Sequence, residues 1–466
     1  MKKNLLDSYL EGVKTKEGSS FTTILNYFAP ELISALVIYS LPYLLDELFI
    51  AQLKSASTYA AVGLTNSTLI HLLTKIAEGI AVGITIATGT ANGAGKEKII
   101  GSTFIQSIWV TLSVGFLIAS SLFVGANWLL FNYGYTQEMI VIGVPFLKLK
   151  SFGVFLNFIL FSIIGFLRGL KNTKTPMYIF LAGAMVFVFC DYVFIFGKFG
   201  VEPMGYIGSA WASIVQQIVM IFLACYTVYK TMNCERFAIK FYWPDFTAMF
   251  SIFNLSWPII IDKAMMSLCY IWLGKMISPM GTMMLATYTV IKNIERFAFL
   301  PAIAGAQIIT FLSSNLMGAG QSEGVKSTIK KTILISTTAV FMSLLVISLY
   351  PNSIVSLFDK TGSFTAQASK ILPIISVFVL FDVVQLILSA ALRGISQVRL
   401  VMNTRILLSF LFFIPITFII SNFINIDSLL KFLLLYGTFY VSSALMACFY
   451  VYKFRCMDSS SIRKIV

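Results

Sequence analysis

The chain has 466 residues, of which 58% are apolar, 15% are aromatic and only 12% are charged. Soluble domains carry about 25% charged residues, so this composition excludes a soluble enzyme, a disordered chain and a secreted disulfide scaffold. It indicates a protein that crosses a membrane several times. The formal net charge of +14 therefore raises the question of where the cations lie relative to the bilayer, rather than a question of nucleic-acid binding.

Runs of mostly apolar residues, each long enough to cross the hydrocarbon core, recur twelve times along the chain. They are too long for the strands of a membrane barrel and lack their alternation, so we predict an all-α membrane protein. Polar residues interrupt the second, seventh and eighth runs. The predicted transmembrane helices are 27–52, 58–91, 100–130, 140–168, 175–198, 205–230, 247–275, 281–315, 328–357, 368–393, 399–422 and 430–453.

The positions of lysine and arginine predict the orientation of these helices. On the twelve-helix topology, 22 of the 34 cationic residues fall on the side of the chain termini and only six fall on the other side. Loops rich in Lys and Arg stay in the cytoplasm, so we expect an integral cell-membrane protein with both termini cytoplasmic. Residues 1–20 lack the apolar core of a signal peptide, which leaves the first helix to direct insertion.

The second half of the chain repeats the first half at an offset of 225 residues. Gly93-Ala94-Gly95 matches Gly318-Ala319-Gly320, and Leu167-Arg168-Gly169 matches Leu392-Arg393-Gly394. Each half holds six helices, an even number, so we expect two lobes related by a pseudo-twofold axis along the membrane normal, around a central cavity. The predicted segments are a cytoplasmic segment 1–26, an N-terminal lobe 27–230, a linker 231–246, a C-terminal lobe 247–453 and a cytoplasmic tail 454–466.

The repeated turn after the fourth helix of each lobe carries an arginine and a glycine. Arg168 and Arg393 can cap carbonyl groups at a helix C-terminus or take part in gating between the lobes. Gly93, Gly95, Gly169 and Gly394 suit a helix end, where a left-handed backbone costs little only for glycine.

Seven segments, in this order and spacing, resemble the multidrug and toxin extrusion (MATE) family of secondary transporters. They are Leu44–Leu53, Ala56–Leu64, Gly93–Gly95, Leu167–Pro176, Asp191–Gly200, Met204–Ser213 and Ala391–Arg399. The resemblance covers essentially the whole chain. It implies an antiporter that exports a small organic compound in exchange for H⁺ or Na⁺ by alternating access of two lobes. We expect no other cofactor, a lipid environment, no nucleic-acid partner and a functional monomer. The alternative is a flippase of the same superfamily, for a lipid-linked oligosaccharide or another lipid.

Four carboxylates are candidates for cation coupling, because an ionisable group at membrane depth costs about 2.5–3.5 kcal/mol and suggests either function or a salt bridge. The resemblance places Asp46 at the acidic position of the first helix that is implicated in proton coupling, and Asp191 at a fifth-helix position that is acidic in some members. Asp382 matches the tenth-helix acid of the branch with a cation site in the C-terminal lobe. Asp262 is a further candidate, for the seventh-helix acid of that branch.

Each of these candidates has a simpler alternative, except for Asp382. Asp46 could be an interfacial carboxylate in water, and Asp191 a helix-end carboxylate near Lys198. Asp262 could pair with Lys263 or with a helix end.

Further polar and charged residues fall within the predicted helices, where lipid would not solvate their charges. We expect them to point into the bundle or the cavity. They either neutralise one another within each lobe or attract an anionic or zwitterionic substrate. At the 225-residue offset, Arg296 corresponds to His71 and Asp382 to Asn157. The candidates are His71, Lys75 and Glu78 on one face of the second helix, Lys148, Lys150 and Asn157 in the fourth, and Lys292, Glu295 and Arg296 on one face of the eighth.

We predict no catalytic residues. The sequence lacks a nucleotide-binding loop of the form GxxxxGK[ST], so we expect an ion gradient rather than ATP to drive transport. One His and six scattered Cys offer neither a tetrahedral metal site nor a C-x-x-C pair, so we expect free thiols and no bound metal.

Overall fold

A computed structural model of the chain describes residues 18–39, 41–231, 237, 239–356, 358–359 and 364–456. Within these ranges the chain forms helices and loops and no β-strand. Most of the predicted cytoplasmic segment 1–26, part of the linker 231–246 and most of the tail 454–466 lie outside the described residues.

The helices of the first half lead from Phe21 to Thr231. They are α1 (Phe21–Tyr39), α2 (Leu41–Ala51), α3 (Ala56–Leu64), α4 (His71–Gly93), α5 (Glu97–Asn132), α6 (Gln137–Gly169), α7 (Lys174–Phe196) and α8 (Tyr206–Thr231). A π-helical turn, Thr65–Ile70, joins α3 to α4.

The helices of the second half lead from Phe246 to Cys456. They are α9 (Phe246–Ile277), α10 (Thr282–Ala298), α11 (Leu300–Gly318), α12 (Ser322–Leu349), α13 (Pro351–Ser356), α14 (Thr365–Gly394), α15 (Val398–Leu408), α16 (Ile414–Phe423) and α17 (Ser428–Cys456). A second π-helical turn, Ser409–Phe413, joins α15 to α16.

Eleven helical stretches in the described part of the chain are long and apolar enough to cross a membrane. The seventh predicted span is the twelfth long helix, α9, which has 32 residues but carries Asp262 and Lys263 among its apolar residues. The eighth predicted span, 281–315, is divided between α10 and α11 at Phe299. Pro301 explains this break, because proline lacks the N–H that would continue the hydrogen-bond ladder of α10.

The chain folds as two compact units, whose boundaries lie within α1 and α9. The first unit is Ile33–Ile260, and the second unit is Ile261–Val466 with the described residues up to Leu32. These boundaries differ from the predicted lobes 27–230 and 247–453, which begin and end at helix ends. The start of α1 belongs to the second unit because Tyr27 packs edge-on against Phe311 of α11, with ring centroids 5.3 Å apart.

Equivalent contacts inside each unit reflect the sequence repeat. In the first unit, Thr85 Oγ1 of α4 donates a hydrogen bond to the carbonyl oxygen of Gly165 of α6, at 3.0 Å. At the 225-residue offset in the second unit, Thr310 Oγ1 of α11 donates to the carbonyl oxygen of Ala390 of α14, at 3.4 Å. The second and fourth predicted helices of each half therefore pack against each other in the same way.

Gly95 has the predicted left-handed backbone, at φ 67°, but the prediction was wrong for the two repeated glycines, Gly169 and Gly394, which serve helix packing. Gly169 and Gly394 end α6 and α14 without a positive φ, and Lys171 takes the left-handed conformation after α6, at φ 62°. A Cβ on Gly169 would lie 2.6 Å from Thr88 Cβ, and a Cβ on Gly394 would lie 2.7 Å from Ser313 Cβ. Glycine is needed here because two helices approach more closely than a side chain allows.

Asp262 is buried in an ion pair that connects three helices of the second unit. Its carboxylate accepts hydrogen bonds from Arg393 at the end of α14 and from Arg405 of α15. Asp262 is 1% exposed and the Arg405 side chain 5% exposed. Asp262 is therefore in an ion pair, as the simpler alternative above expects, but its hydrogen-bond partners are Arg393 and Arg405, and Lys263 adds an electrostatic interaction. Two guanidinium groups already neutralise Asp262, so its role is to hold α9, α14 and α15 together rather than to take up a cation.

We expect Asp262→Asn to destabilise the protein strongly, because two buried guanidinium groups would lose their counter-charge. Breaking a buried ion pair in this way typically costs about 3–5 kcal/mol. The measurement is thermal unfolding of the purified protein in detergent, followed by tryptophan fluorescence. Asp427→Asn is the matched control, because this exposed carboxylate only accepts a hydrogen bond from the Leu429 N–H and asparagine caps a helix equally well. Equal unfolding temperatures for both variants would contradict the structural role of Asp262.

We expect Gly394→Ala to lower the stability by about 1–3 kcal/mol, because the new methyl group would clash with α11. The added Cβ would lie 2.7 Å from the carbonyl oxygen of Thr310, a backbone atom that cannot turn aside. Gly437→Ala, inside α17, is the control, since no atom lies within 4 Å of its added Cβ. The same unfolding assay compares the two variants, and a Gly394→Ala protein as stable as the Gly437→Ala protein would show that the close approach is not required.

Candidate functional site

Asp46 of α2 is a buried carboxylate in the first unit with only part of its hydrogen-bonding capacity used. It is 3% exposed, so the alternative of an interfacial carboxylate in water does not fit its position. Its Oδ2 accepts a hydrogen bond from Asn66 Nδ2 at 3.2 Å. Its Oδ1 has no hydrogen-bond partner among the described residues. This oxygen is therefore available to a proton or a cation.

The π-helical turn between α3 and α4 presents Asn66 to this carboxylate. Thr65, at the start of the turn, donates a hydrogen bond from its hydroxyl to the carbonyl oxygen of Ala61 at 2.7 Å. The same hydroxyl lies 3.2 Å from the hydroxyl of Tyr135. Short π-helical turns inside α-helices are frequent at functional sites, because the extra residue redirects the side chains that follow.

Asp191 of α7 is a second buried carboxylate of the first unit. It is 0% exposed, and neither of its oxygens has a hydrogen-bond partner in the described part of the chain. This burial argues against a helix-end carboxylate solvated near Lys198. A carboxylate that is charged, buried and without hydrogen bonds is expensive, so Asp191 requires either a proton or a nearby positive charge.

Lys150 of α6 provides positive charge in the same region. Its side chain is 7% exposed, and electrostatic interactions connect its ammonium group with both Asp46 and Asp191. The ammonium donates a hydrogen bond to Ser213 Oγ of α8 at 3.1 Å. It also lies 5.4 Å from the centre of the Phe146 ring. The first unit thus contains two buried acids and one buried base in electrostatic contact.

A cavity of about 130 Å³ lies beside these groups, inside the first unit. The predicted residue Asn157 lines it and accepts a hydrogen bond from Gln217 Nε2 at 3.5 Å. Asp191 does not line the cavity but is buried next to it, four residues after the lining residue Phe187. The side chains around the cavity include Asp46, Asn66, Lys150, Asn157, Ser213, Gln216 and Gln217 as polar members and Phe161, Phe180, Phe187 and Met220 as apolar ones.

Of the residues predicted on α4, Lys75 and Glu78 form an ion pair with each other. Lys75 Nζ lies 3.1 Å from Glu78 Oε1, and the Tyr39 hydroxyl donates to the same oxygen at 2.8 Å. The Lys75 ammonium also lies 4.2 Å from the centre of the Tyr39 ring. His71 begins α4 and is half-buried. Lys75 and Glu78 therefore neutralise each other, which was one of the two alternatives for these residues, and neither of them lines the cavity.

Asp382 of α14 is a buried carboxylate of the second unit. It is 9% exposed, and its Oδ1 accepts a hydrogen bond from Ser443 Oγ of α17 at 2.8 Å. Its repeat partner Asn157 bonds to Gln217 of α8 in the equivalent pair of helices. The two positions therefore make corresponding contacts, but only the second unit carries a charge there.

The three residues predicted on α10, Lys292, Glu295 and Arg296, have different surroundings in the structure. Glu295 is buried and accepts a hydrogen bond from the hydroxyl of Tyr436 of α17. The Lys292 ammonium lies 4.9 Å from the centre of the Tyr270 ring and 5.9 Å from that of Tyr288. Arg296 is exposed. Glu295 also interacts electrostatically with Asp382, so these two acids form the charged cluster of the second unit.

The remaining predicted residues lie at helix ends. Arg168 is buried at 5% exposure near the end of α6, and Arg393 binds Asp262. Across the residues described, no group of three or more His, Cys, Asp or Glu side chains could hold a metal ion.

Sequence reasoning named Lys150 together with Lys148 and did not distinguish between them, although only Lys150 lines the cavity. Lys148 and Lys150 are two residues apart and therefore point to different sides of α6. Lys148 is half-buried, with its ammonium 5.4 Å from the centre of the Phe123 ring. The available signal was helical spacing: Lys150 precedes Asn157 by seven residues, which places both on one face of the helix.

Comparisons with known proteins identify a family and relatives to which this chain is similar in sequence. The MatE family model matches residues 32–193 and 258–449. The chain is 25% identical over 361 residues to the multidrug resistance protein MdtK of Yersinia pseudotuberculosis, covering 74% of this chain and 76% of that protein. It is 23% identical over 337 residues to the probable multidrug resistance protein NorM of Thermotoga maritima, covering 72% of each.

A solved structure shows the same fold. It is an outward-facing multidrug resistance MATE family transporter of the MOP superfamily, with a TM-score of 0.86 and 18% identity, covering 97% of this chain and 99% of that one. This likeness confirms the predicted all-α fold with two lobes. The family match extends over most of the chain, in both halves. The chain therefore belongs to the multidrug and toxin extrusion family of integral membrane transporters.

Proposed function

We propose that this transporter exports small organic compounds across the cell membrane in exchange for H⁺ or Na⁺. The observation that carries the proposal is the pair of buried carboxylates, Asp46 and Asp191, whose oxygens are not all hydrogen-bonded within the described part of the chain and lie beside a cavity of about 130 Å³. The multidrug resistance relatives support the substrate class. Export follows if both termini are cytoplasmic, as the distribution of Lys and Arg predicts.

The coupling step is neutralisation of this acid pair. Asp46 lies on α2 and Asp191 on α7, and these helices pack through Phe49, whose ring centre is 5.9 Å from that of Phe196. Two like charges repel each other strongly where water is excluded. A cation or proton that binds there removes the repulsion and favours a closer arrangement of α2 and α7. Exchange requires that this arrangement bind the organic substrate more weakly, so that each ligand shifts the protein towards a different state.

We extend the proposal to Asp382 in the second unit. Ser443 occupies one side of this carboxylate, and Glu295 brings a second negative charge into electrostatic contact with it. A buried acid pair of this kind favours uptake of a cation, for the same reason as in the first unit. Asp262 is not part of the proposal, because two arginines already occupy both of its oxygens.

We expect Asp46→Asn and Asp191→Asn each to lower gradient-driven exchange by about 5-fold to 150-fold, the range of typical coupling free energies. An amide cannot bind a coupling proton or balance a cation. The measurement is ethidium transport in proteoliposomes, with H⁺ and Na⁺ gradients imposed separately. Glu47→Gln is the matched control, since Glu47 follows Asp46 directly but is exposed. Full transport by both Asp variants under both gradients would contradict the proposal.

We expect Asp382→Asn to reduce exchange in the same assay, because it removes the charge that would bind a cation in the second unit. Ser443→Ala is its control, since that change removes the 2.8 Å hydrogen bond and retains the carboxylate. We expect a smaller loss for Ser443→Ala. Unchanged exchange by Asp382→Asn would restrict the coupling role to the first unit.

A further inference from the structure

Lys150 has no part in the exchange mechanism described above, although it is the only cationic side chain among the residues that line the cavity. We propose that Lys150 is a built-in counter-cation of Asp46 and Asp191, so that the first unit takes up a single coupling cation in each cycle instead of two. This inference rests on the proposed exchange function.

The position of Lys150 is fixed by contacts that do not consume its charge. Its ammonium is held by the neutral hydroxyl of Ser213 at 3.1 Å and lies 5.4 Å from the centre of the Phe146 ring. Neither oxygen of Asp191 accepts a hydrogen bond from it. Its positive charge is therefore shared between the two carboxylates instead of being used up by a tight ion pair with one of them.

The net charge of Asp46, Asp191 and Lys150 explains why one coupling cation is taken up in each cycle. Two carboxylates and one ammonium leave one negative charge, and the other side chains around the cavity are uncharged. Other ionisable groups of the same helices also lie outside the cavity lining, among them exposed Glu47 on α2, half-buried Lys148 and buried Arg168 on α6, and Cys190 on α7. Burial strongly favours a neutral cluster. One proton or one Na⁺ neutralises the cluster while Lys150 is charged, whereas two would be needed without it.

The repeat supports a role beyond packing. At the 225-residue offset, Asp46, Lys150 and Asp191 correspond to Ile271, Ile375 and Ile416 in the second half. The equivalent helix of the second half buries the apolar side chain of Ile375 there, so the fold does not require a lysine. Lys150 is present in the half that has Asp46 and Asp191 and is replaced by isoleucine in the half where both of these acids are isoleucines, as expected of their counter-charge.

The test counts the cations that leave the purified, full-length protein when ethidium binds. Released H⁺ is measured with a pH indicator in weakly buffered detergent solution, and displaced Na⁺ with ²²Na⁺. We expect the original protein to release one cation per ethidium and Lys150→Met to release two. Lys148→Met is the matched control, because it removes a lysine of the same helix outside the cavity, and we expect it to release one. Lys150→Arg, which keeps the charge, is also expected to release one.

A double variant keeps the test decisive if Lys150→Met alone fails to fold, because Asp191→Asn combined with Lys150→Met leaves one negative charge in the cluster, as in the original protein. Asp191→Asn alone leaves Asp46 balanced by Lys150, so it should release no cation. Adding Lys150→Met to Asp191→Asn restores one unbalanced carboxylate, and with it the release of one cation per ethidium. A lysine that serves only for packing would not produce this rescue.

The outcomes separate this proposal from the proposed function. One cation released by both the original protein and Lys150→Met, with no rescue in the double variant, would overturn the role of Lys150 and leave cation exchange intact. No cation released by the original protein would overturn both.

Discussion

Charge that is buried in an apolar helical bundle has to be neutralised, and this constraint organises the whole molecule. Some acids are neutralised from within: Asp262 binds two arginines, and Glu78 binds Lys75 and Tyr39. Those acids connect helices and hold the fold. Asp46 and Asp191 have oxygens that accept no hydrogen bond from any described residue, and both acids lie at the cavity. The same physical cost therefore distinguishes structural carboxylates from those that are suited to bind a transported ion.

The sequence contained enough information for most of the fold. Hydropathy located the long helices, and the 225-residue repeat predicted contacts that both units make, such as Thr85 with Gly165 and Thr310 with Ala390. The repeat also drew attention to the two glycines but suggested the wrong reason for them. Their reason is a close approach between helices that are distant in sequence, and no local pattern reports how near a second helix comes.

The site was less predictable, because it depends on which way side chains point and on partners far along the chain. The acids Asp46, Asp191 and Asp382 were found from their depth and from the family resemblance. The arginine partners of Asp262 lie more than 130 residues away, and the π-helical turn that presents Asn66 has no recognised signature in composition. Two lysines that are two residues apart in one helix, Lys148 and Lys150, look alike in the sequence until the face that carries Asn157 is known.

The buried charges of one half have apolar residues at the equivalent positions of the other half, both for the Asp262–Arg405 ion pair and for Asp46, Lys150 and Asp191, and this argues for different roles of the two halves. At the 225-residue offset, the ion pair of Asp262 and Arg405 corresponds to Val37 and Phe180, and both of these apolar residues line the cavity of the first unit. The acids and the lysine of the first unit correspond to isoleucines in the second. A duplicated scaffold thus has a tight ion pair in one half where the other half has a cavity. In the second half, the ion pair fixes the packing of the helices at this position. In the first half, the cavity allows the helices to move when the charge of the nearby acids changes. We therefore infer that the exchange of cation for substrate alters the packing of the first unit more than that of the second.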